Sequence, residues 1–313
     1  MSGTTDKFSV GQLSQYLELP IRSLDLIKGN KYCYIFKAAG EDDKPFIIKQ
    51  YKGDDPALVT AEAEALDRYY AIAKDDPRLI NSRTLLLVPE RNLLAIEFVS
   101  GEPFSEFLYR SRNNPELQQR AVRIMSVLGE FLRHLYELTV IPDGEPSPFL
   151  LEYITYCSER LEKLRILGKR LFGGSIESAV ELWNGLLKAK VAPSFIHGDF
   201  VFLNIHVSGE RVGLIDFANT NLHSHLLNDL YNMRLALDNM LLPESFKEML
   251  LSALYDGLGD ISFPVVAHRF YYEYHRRRWL MLKMMSNNPW HRIQAIRGLT
   301  SFAKPFDPER VIR

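Results

Sequence analysis

The chain has 313 residues, of which 46% are hydrophobic and 25% are charged. This composition is that of a globular protein and excludes collagen-like, low-complexity and intrinsically disordered architectures. The 38 Lys and Arg residues nearly cancel the 39 Asp and Glu residues, so the net charge of −1 gives no overall attraction to nucleic acid or anionic membranes.

The cysteines and the N-terminal residues bear on the cellular location of the protein. Cys33 and Cys157 are far apart and belong to no CxxC or Cys–His arrangement, which favours a reducing cytoplasm over a disulfide framework. The first seven residues lack the apolar core of a signal peptide. The sequence has no apolar run of about 18 residues, the length that a transmembrane helix needs. We therefore expect a soluble, cytoplasmic protein without a membrane span.

The first hundred residues predict strands and a single helix. Runs of aromatic and β-branched residues favour strands, and polar turn residues separate them. Asp55 and Pro56 are typical of a helix start, and the Ala-, Glu- and Leu-rich stretch that follows extends to about Ala73. The strands are expected at residues 31–37, 46–51, 85–88 and 93–99.

After Ser100-Gly101 the sequence becomes mainly helical. Apolar residues recur at spacings of three and four, which predicts helices at residues 104–112, 115–138 and 148–171. A short β region lies between Ser194 and Phe217, and helices resume beyond it. A small strand-rich lobe, residues 1–99, followed by a larger helical lobe, residues 100–313, predicts an α+β enzyme of two lobes.

Residues 195–217, FIHGDFVFLNIHVSGERVGLIDF, contain a predicted hairpin that carries oxygen ligands. Pairing about a turn centred on Gly209-Glu210 places Asn204 within about one residue of a position opposite Asp216. Mg²⁺ prefers one or two such oxygen ligands, with phosphates and water completing its coordination. Asp199, five residues before Asn204, is close enough to receive a proton from a hydroxyl near a metal-bound phosphate.

These residues resemble a known family. The chain combines His197-Gly198-Asp199 with Asn204, then Ile215-Asp216-Phe217, then Asp229 thirteen residues after Asp216. The pattern is similar to that of the aminoglycoside phosphotransferase/choline kinase-like family, relatives of protein kinases that phosphorylate small-molecule hydroxyls. The resemblance implies a two-lobed protein-kinase-like fold, with a small antiparallel-sheet N-lobe bearing one key helix and a larger, mostly helical C-lobe.

The resemblance also implies residue roles. Asp199 corresponds to the catalytic base, and Asn204 and Asp216 correspond to the residues that hold Mg²⁺. Asp229 corresponds to a structural anchor beneath the catalytic loop. We expect His197 to orient that loop by hydrogen bonds.

The family implies a nucleotide site for ATP in the N-terminal lobe. A strand lysine that contacts the α- and β-phosphates is oriented there by a glutamate on the next helix. Lys49 lies in the FIIKQY strand, and the helix that follows carries Glu62 and Glu64. We favour Glu62, because Leu66 follows it by one helical turn, as in the family's Glu-Ala-x-x-Leu pattern.

Two further segments have positions that the resemblance assigns to the nucleotide. Gly29 and Asn30, just before the first predicted strand, correspond to the loop that covers the nucleotide. The backbone groups of Glu97, Phe98 and Val99 correspond to the inter-lobe hinge that meets adenine.

The catalytic loop departs from the family's pattern. Common members have small or polar residues between the aspartate and the asparagine, whereas this chain has Phe200 and Phe202 in that interval. Two readings are open: a more apolar acceptor surface beside Asp199, or unusual packing of the loop.

The charge is distributed unevenly along the chain. Residues 267–313 carry a net charge of +7, and the preceding residues carry −8. The family binds its acceptor in this C-terminal region, where Tyr274, Arg277 and Arg278 are the candidate contacts. A solvated basic helix face is the alternative. An anionic acceptor, such as a phosphosugar, an acidic sugar or a lipid-linked glycan, suits this charge better than a polycationic aminoglycoside does.

The sequence thus predicts an ATP- and Mg²⁺-dependent phosphotransferase that acts on a small-molecule hydroxyl, with no nucleic-acid partner. The alternatives are a nucleotide-binding pseudokinase or scaffold, a protein Ser/Thr kinase and a nucleic-acid-binding module. No Ala-Pro-Glu segment or activation loop lies between Asp216 and Asp229, which disfavours a protein kinase. The sequence gives no indication of the oligomeric state.

Overall fold

A computed structural model of the chain describes residues 10–17, 20–30, 32–40, 43–53, 55–163, 165–166, 169–170, 175–288 and 290–295. It forms two compact units. Unit 1 consists of Met1–Phe104 and Leu203–Thr220, and unit 2 consists of Ser105–Phe202 and Asn221–Arg313. The functional division into lobes at residues 1–99 and 100–313 stays a prediction. Lys31 and Leu171, which belong to predicted elements, lie outside the described residues.

The N-terminal stretch of unit 1 is built around an antiparallel sheet. Its elements are α1 (Val10–Leu17), β1 (Ile21–Gly29), β2 (Cys33–Gly40), β3 (Pro45–Tyr51), α2 (Ala57–Ala73), β4 (Thr84–Val88), β5 (Leu93–Glu97) and β6 (Glu102–Pro103). Five strands pair in the order β1-β2-β3-β5-β4, and each neighbouring pair is antiparallel. Phe36, Ile48 and Leu93 are buried together in the core of this sheet. The predicted small antiparallel sheet with one key helix is confirmed.

Sequence analysis did not predict α1 or β1. The strand β1 lies at the edge of the sheet and most of its residues are exposed. An exposed edge strand does not need alternating apolar residues, so it lacks the pattern by which a half-buried strand is recognised.

The helix α2 begins one residue later than predicted. Pro56 precedes the first helical residue, Ala57, and provides no side-chain cap. The carboxylate of Asp55 accepts a hydrogen bond from the Ala57 N–H at 2.9 Å, so Asp55 still satisfies a donor at the helix start. The buried side chains of α2 include Glu62, Leu66 and Tyr69.

Unit 2 is mostly helical. After β6 the chain forms α3 (Phe104–Ser111), α4 (Pro115–Thr139), α5 (Phe149–Glu162), β7 (Arg165–Ile166), β8 (Lys169–Arg170), α6 (Ile176–Lys188) and β9 (Ser194–Ile196). It returns to unit 1 as β10 (Ile205–Ser208) and β11 (Arg211–Leu214). Unit 2 then continues with β12 (Asn221–Ser224), α7 (Leu226–Asp238), α8 (Glu244–Leu258) and α9 (Val265–Met284). Within the described residues, no helix is long and apolar enough to cross a membrane.

The helix predicted at residues 148–171 is shorter than expected. It ends at Glu162, and the next described residues form a small antiparallel pair between β7 and β8. Leucine and isoleucine continue at helical spacing beyond Glu162. The backbone groups of these short strands nevertheless bond across the pair instead of along a helix, so the periodicity alone was misleading.

The helices α4 and α8 cross at two glycines. A Cβ atom on Gly129 would lie 2.2 Å from the Leu254 carbonyl oxygen, and one on Gly257 would lie 2.2 Å from the Ser126 carbonyl oxygen. No side chain fits between the two backbones at this crossing. The same helix α4 carries Phe131, whose ring stacks on Phe200 of the catalytic loop at 6.5 Å.

We predict that Gly257→Ala destabilises the protein by about 1–3 kcal/mol, because the new methyl group must push the two helices apart. Gly11→Ala is the matched control, since Gly11 lies in α1 with no atom within 4 Å of its added Cβ. Denaturant-induced unfolding measures both free energies. Equal stability of the two variants would contradict the tight crossing.

Candidate active site

Lys49 lies at the centre of unit 1's sheet, where β3 pairs with both β2 and β5. Its side chain is 6% exposed, and its ammonium is 2.5 Å from the Glu62 carboxylate on α2. It also lies 3.1 Å from the Asp216 carboxylate, which follows β11. The predicted pairing of Lys49 with Glu62 is therefore present, and Glu64 is exposed.

The two neighbouring carboxylates stabilise the protonated, positively charged form of Lys49. Burial by itself lowers the pKa of Lys49, but Glu62 and Asp216 together raise the pKa above its ordinary value. The ammonium is therefore ionised at neutral pH. A buried ion pair is costly to break, because the partner that remains is an uncompensated buried charge.

Tyr51 is a member of this cluster that sequence analysis missed. Its phenol donates a hydrogen bond to the second oxygen of the Glu62 carboxylate. Burial and the charge of Glu62 raise the pKa of Tyr51, so the phenol keeps its proton. Tyr51 lies two residues after Lys49 in β3, and positions i and i+2 of a strand share one face. That spacing is the signal that could have revealed it.

The hairpin β10–β11 aligns the two predicted metal ligands. Its register pairs Ile205 with Leu214 and Ser208 with Arg211, as the turn at Gly209-Glu210 predicts. The Ile215 N–H donates to the Asn204 carbonyl at 3.0 Å, so Asn204 lies opposite the residue just before Asp216. The predicted register is confirmed.

Asp216 has an uncommon backbone conformation. Its φ of 66° lies in the left-handed region, which non-glycine residues rarely adopt. The next residue, Phe217, is buried and packs on Tyr69 of α2, with ring centroids 5.1 Å apart. This packing holds the chain beyond β11 and supports the strained conformation. The Asp216 side chain stays 36% exposed.

The donors at the end of this hairpin fit a hard cation. Asn204 and Asp216 offer an amide oxygen and a carboxylate oxygen, and such ligands are preferred by Mg²⁺. In the described part of the chain, no group of three or more His, Cys, Asp or Glu residues is arranged to hold a metal ion.

In unit 2, the loop after β9 is anchored on a buried carboxylate. One oxygen of Asp229 accepts the His197 N–H at 2.7 Å, and the other accepts the Gly198 N–H at 2.9 Å. The Asp199 N–H donates to the His197 ring nitrogen at 3.3 Å. Burial raises the pKa of Asp229 to about 7, although the two N–H donors lower it. Asp229 and His197 thus both accept hydrogen bonds from the backbone of this loop, and their supporting roles in catalysis stay predictions.

The structure decides between the two readings of the aromatic insert. Phe200 and Phe202 are both buried, at 0% and 2% exposure. Phe200 packs between Phe131 and the His197 ring, whose centroids lie 6.5 and 6.0 Å away. Both rings are therefore buried, and Phe200 packs inside unit 2. The expectation of an apolar acceptor surface made by these rings is wrong.

Arg278, on α9, reaches the catalytic loop. Its guanidinium lies 3.8 Å from the Asp199 carboxylate, and both side chains are about one quarter exposed. Sequence analysis named both residues but did not predict that they pair. The pairing depends on which face of α9 lies towards the loop after β9. The sequence does not specify that face.

Arg277 and Tyr274 are buried in the same helix. Arg277 donates to the hydroxyls of Ser158 and Ser178 at 2.6 and 2.7 Å, which ties α9 to α5 and α6. The Tyr274 ring packs against Tyr153 of α5, with centroids 5.8 Å apart. Both residues hold helices together, and their contact with an acceptor stays a prediction.

The segment assigned to the nucleotide-covering loop is a well-formed turn. Asn30 accepts hydrogen bonds through its side-chain oxygen from the N–H groups of Tyr32 and Cys33, at 2.7 and 2.8 Å. Gly29 precedes it, and an added Cβ there would lie 3.1 Å from the Tyr34 ring. The turn is thus shaped by Asn30, and contact of either residue with a nucleotide stays a prediction.

The predicted hinge begins at the end of β5. The Glu97 N–H donates to the Arg83 carbonyl at 3.1 Å, and the Glu97 carbonyl accepts from the Ser82 hydroxyl at 2.9 Å. A carbonyl oxygen has two lone pairs and can accept a second hydrogen bond. Val99 is buried and Phe98 is half-buried. The adenine contacts of these three residues stay predictions.

Comparison with known proteins identifies the family. A model of the phosphotransferase enzyme family matches residues 36–265, more than half of the chain. The chain belongs to this family. It is therefore a phosphotransferase of the small-molecule kinase type, acting on a hydroxyl group, and the resemblance drawn from its motifs is confirmed.

Solved structures similar to this chain confirm its protein-kinase-like fold. The amicoumacin kinase hAmiN, in complex with AMP-PNP, Ca²⁺ and Ami, has a TM-score of 0.64 and 12% identity, with 96% of each chain covered. A putative fructosamine-3-kinase from Thermobifida fusca YX-ER1 has a TM-score of 0.61 and 15% identity, covering 93% of this chain and 97% of that one.

A streptomycin–ATP–APH(2")-IIa ternary complex has a TM-score of 0.55 and 13% identity, covering 99% of this chain and all of that one. No curated protein sequence matches the chain significantly. At these identities the solved structures establish the fold only.

We predict that Asp229→Asn destabilises this phosphotransferase by about 1–3 kcal/mol and lowers its turnover. An amide presents only one acceptor oxygen, so it leaves a buried N–H of the loop unsatisfied. Chemical unfolding and a phosphorylation assay measure the two effects. Asp143→Asn, at an exposed position, is the control and should change neither. A variant with wild-type stability would show that Asp229 does not anchor the loop.

Buried histidines connect α7 and α9. The His275 ring nitrogen lies 2.8 Å from the Asn228 side-chain oxygen, and the His268 ring nitrogen lies 2.9 Å from the Tyr231 hydroxyl. Burial lowers the pKa of His268 to about 4 and the pKa of His275 well below its ordinary value. Both rings are therefore neutral in the folded protein at neutral pH.

We predict that the stability contributed by His268 and His275 falls as the pH decreases from about 6.5 towards 4, whereas Asp229, whose pKa is raised, contributes with the opposite sign. The unfolded chain binds protons at these histidines near pH 6.5, whereas the folded protein binds them only at a lower pH. The stability they contribute is thus present above the unfolded pKa and is lost below it. His275→Gln should weaken this pH dependence, and His134→Gln, at an exposed site, should not. Unfolding curves at several pH values measure the slope, and an unchanged slope in His275→Gln would contradict the assignment.

Proposed function

We propose that this phosphotransferase uses ATP and Mg²⁺ to phosphorylate a hydroxyl of a small molecule that carries an anionic group, such as an anionic sugar or a glycolipid-type acceptor. The observation that carries the proposal is the buried ammonium of Lys49, held by Glu62 and by the partly exposed Asp216. A structural ion pair needs only one carboxylate. The second carboxylate, that of Asp216, is 36% exposed, so a ligand phosphate can reach this end of the ion-pair cluster.

In this proposal, unit 1 binds the nucleotide. Lys49 contacts the α- and β-phosphates, and Glu62 fixes the direction of its ammonium. The turn at Gly29 and Asn30 covers the phosphates, and the backbone of Glu97, Phe98 and Val99 meets the adenine. Asn204 and Asp216 hold Mg²⁺, which neutralises charge on the phosphate oxygens when it is bound.

Asp199 acts on the acceptor. It accepts a hydrogen bond from the acceptor hydroxyl and receives its proton as the oxygen bonds to the γ-phosphorus. The bond between the γ-phosphorus and the bridging oxygen breaks, and ADP leaves with that electron pair. Because the transition state is loose, alignment and charge stabilisation contribute more than the strength of the base.

Similar proteins support the choice of nucleotide. The amicoumacin kinase structure contains AMP-PNP and Ca²⁺, and the APH(2")-IIa structure contains ATP. Another similar structure, APH(2")-IIia, contains GDP, so a binding experiment should compare ATP with GTP. Other molecules named in complexes with similar proteins are streptomycin, gentamicin and kanamycin.

The proposed anionic acceptor rests on the charge near Asp199. The basic C-terminal region contributes Arg278 to the surroundings of Asp199. A cation at that place disfavours a polycationic acceptor by like-charge repulsion.

We also propose that the protein is cytoplasmic. Cys33 and Cys157 are both free and buried, as is typical of proteins in a reducing compartment.

We predict that Asp199→Asn lowers turnover by about 100- to 10,000-fold, because it removes the proton acceptor. Nucleotide binding should stay close to that of the wild type. Asp216→Ala should instead weaken Mg²⁺-dependent nucleotide binding itself. Calorimetric titration of ATP and GTP, with and without Mg²⁺, measures binding. A phosphorylation screen over anionic sugars, glycolipid fragments, choline-like amines and aminoglycosides measures turnover.

Full activity in either variant would contradict the assigned roles. Nucleotide binding without turnover on any acceptor would favour a pseudokinase instead. Salt-dependent binding of nucleic acid in the absence of nucleotide would favour a nucleic-acid-binding module.

A further inference from the structure

Three consecutive arginines on α9 have three different environments. Arg276 donates twice to the Glu273 carboxylate, at 3.1 and 2.7 Å. Arg277 is 3% exposed and is bonded to α5 and α6. Arg278 lies beside Asp199. Successive residues of a helix differ by about 100° in direction, so only one of the three can face the catalytic loop.

The contact between Arg278 and Asp199 is loose. Its separation of 3.8 Å is within ion-pair range but longer than the about 2.8 Å of a charge-assisted hydrogen bond. The side chains are 26% and 27% exposed, so both remain accessible to a ligand. The Tyr153 phenol, on α5, also interacts with Arg278. A guanidinium has five N–H donors, more than these contacts require.

We propose that Arg278 determines acceptor specificity by binding an anionic group of the acceptor, next to the hydroxyl that Asp199 orients. The proposal rests on the function proposed above and narrows its substrate class. Carboxylates and phosphates match the planar fork of a guanidinium, which donates two parallel hydrogen bonds to them.

The geometry limits the spacing of the two acceptor groups. One hydrogen bond to Asp199 and one to Arg278, each of about 2.8 Å, extend from atoms 3.8 Å apart. The hydroxyl oxygen and the anionic oxygen that these two atoms bind can therefore lie no more than about 9 Å apart on the acceptor. Hydroxy acids, sugar acids and sugar phosphates meet this limit. The anionic group thus belongs to the same small unit as the reacting hydroxyl.

A second surface of α9 provides a competing location. A groove of about 510 Å³ lies between α6 and α9, and its lining includes Arg269, Glu273 and Arg276. Arg269 and Arg276 lie about 180° and 160° around the helix from Arg278, at 100° per residue. An acceptor that bound in this groove would therefore depend on Arg276 and not on Arg278.

The experiment uses the full chain and compares Arg278→Gln, Arg278→Lys and the matched control Arg276→Gln. The probes are acceptor pairs that differ in charge, glucuronate against glucose and glucose 6-phosphate against glucose. Phosphoryl transfer gives kcat and KM, and equilibrium binding of each probe to the nucleotide-free protein gives Kd. Circular dichroism and unfolding curves establish that each variant is folded.

We expect the wild-type protein to prefer the anionic member of each pair. Arg278→Gln should lower kcat/KM for that member at least tenfold, mainly through KM, and lower it much less for the neutral member. Arg278→Lys should be intermediate, because lysine keeps the charge but loses the planar fork. Arg276→Gln should behave like the wild type. Binding of glucuronate should weaken at least tenfold in Arg278→Gln.

Three results would overturn the proposal. An equal loss of kcat/KM for charged and neutral probes in Arg278→Gln would mean that Arg278 stabilises the fold or positions Asp199 and does not bind an anionic group. A loss in Arg276→Gln instead of Arg278→Gln would place the acceptor in the groove between α6 and α9. Preference for the neutral probes would exclude an anionic subsite. Absence of both turnover and nucleotide binding would defeat the proposed function separately, and the direct binding of glucuronate would still decide the role of Arg278.

Discussion

The buried ammonium of Lys49 is the constraint on which unit 1 depends. A positive charge at 6% exposure is stable only with carboxylates close by, and two are present at 2.5 and 3.1 Å. Glu62 can contact Lys49 only if α2 packs on the sheet. Asp216 can contact Lys49 only if the hairpin β10–β11 lies next to the same sheet. The interaction therefore joins residues 203–220 to unit 1, although they follow α3–α6 in the chain.

Unit 2 uses a similar device for a different purpose. Asp229 is fully buried, and its two oxygens bind the backbone N–H groups of His197 and Gly198. Its position on α7 is fixed in turn by neutral histidines that connect α7 to α9. The loop that carries Asp199 is thus shaped by helices far from it in sequence, and the same helix α9 supplies Arg278.

The net charge of the chain conceals this arrangement. A value of −1 argues against polyanionic partners for the whole protein, yet the C-terminal region is strongly basic. Within the described part of that region, Arg276 and Arg277 are committed to neighbouring side chains, so the excess charge does not act as one surface. The positive charge that bears on the acceptor is that of Arg278, which lies beside Asp199.

The sequence by itself determined the family, through the spacing of its motif residues, and the hairpin register, which depends on one local turn. The pair Lys49–Glu62 followed from the resemblance to that family. The sequence could not predict β1, because an exposed edge strand does not need alternating apolar residues. It also could not predict where α5 ends, because apolar residues continue at helical spacing beyond Glu162. Only the tertiary structure decided that Phe200 and Phe202 point inward, that Tyr51 holds Glu62, and that Arg278 among three arginines reaches Asp199. These outcomes depend on which face of an element packs against a distant one, and that is set by the burial of the whole core and not by local spacing.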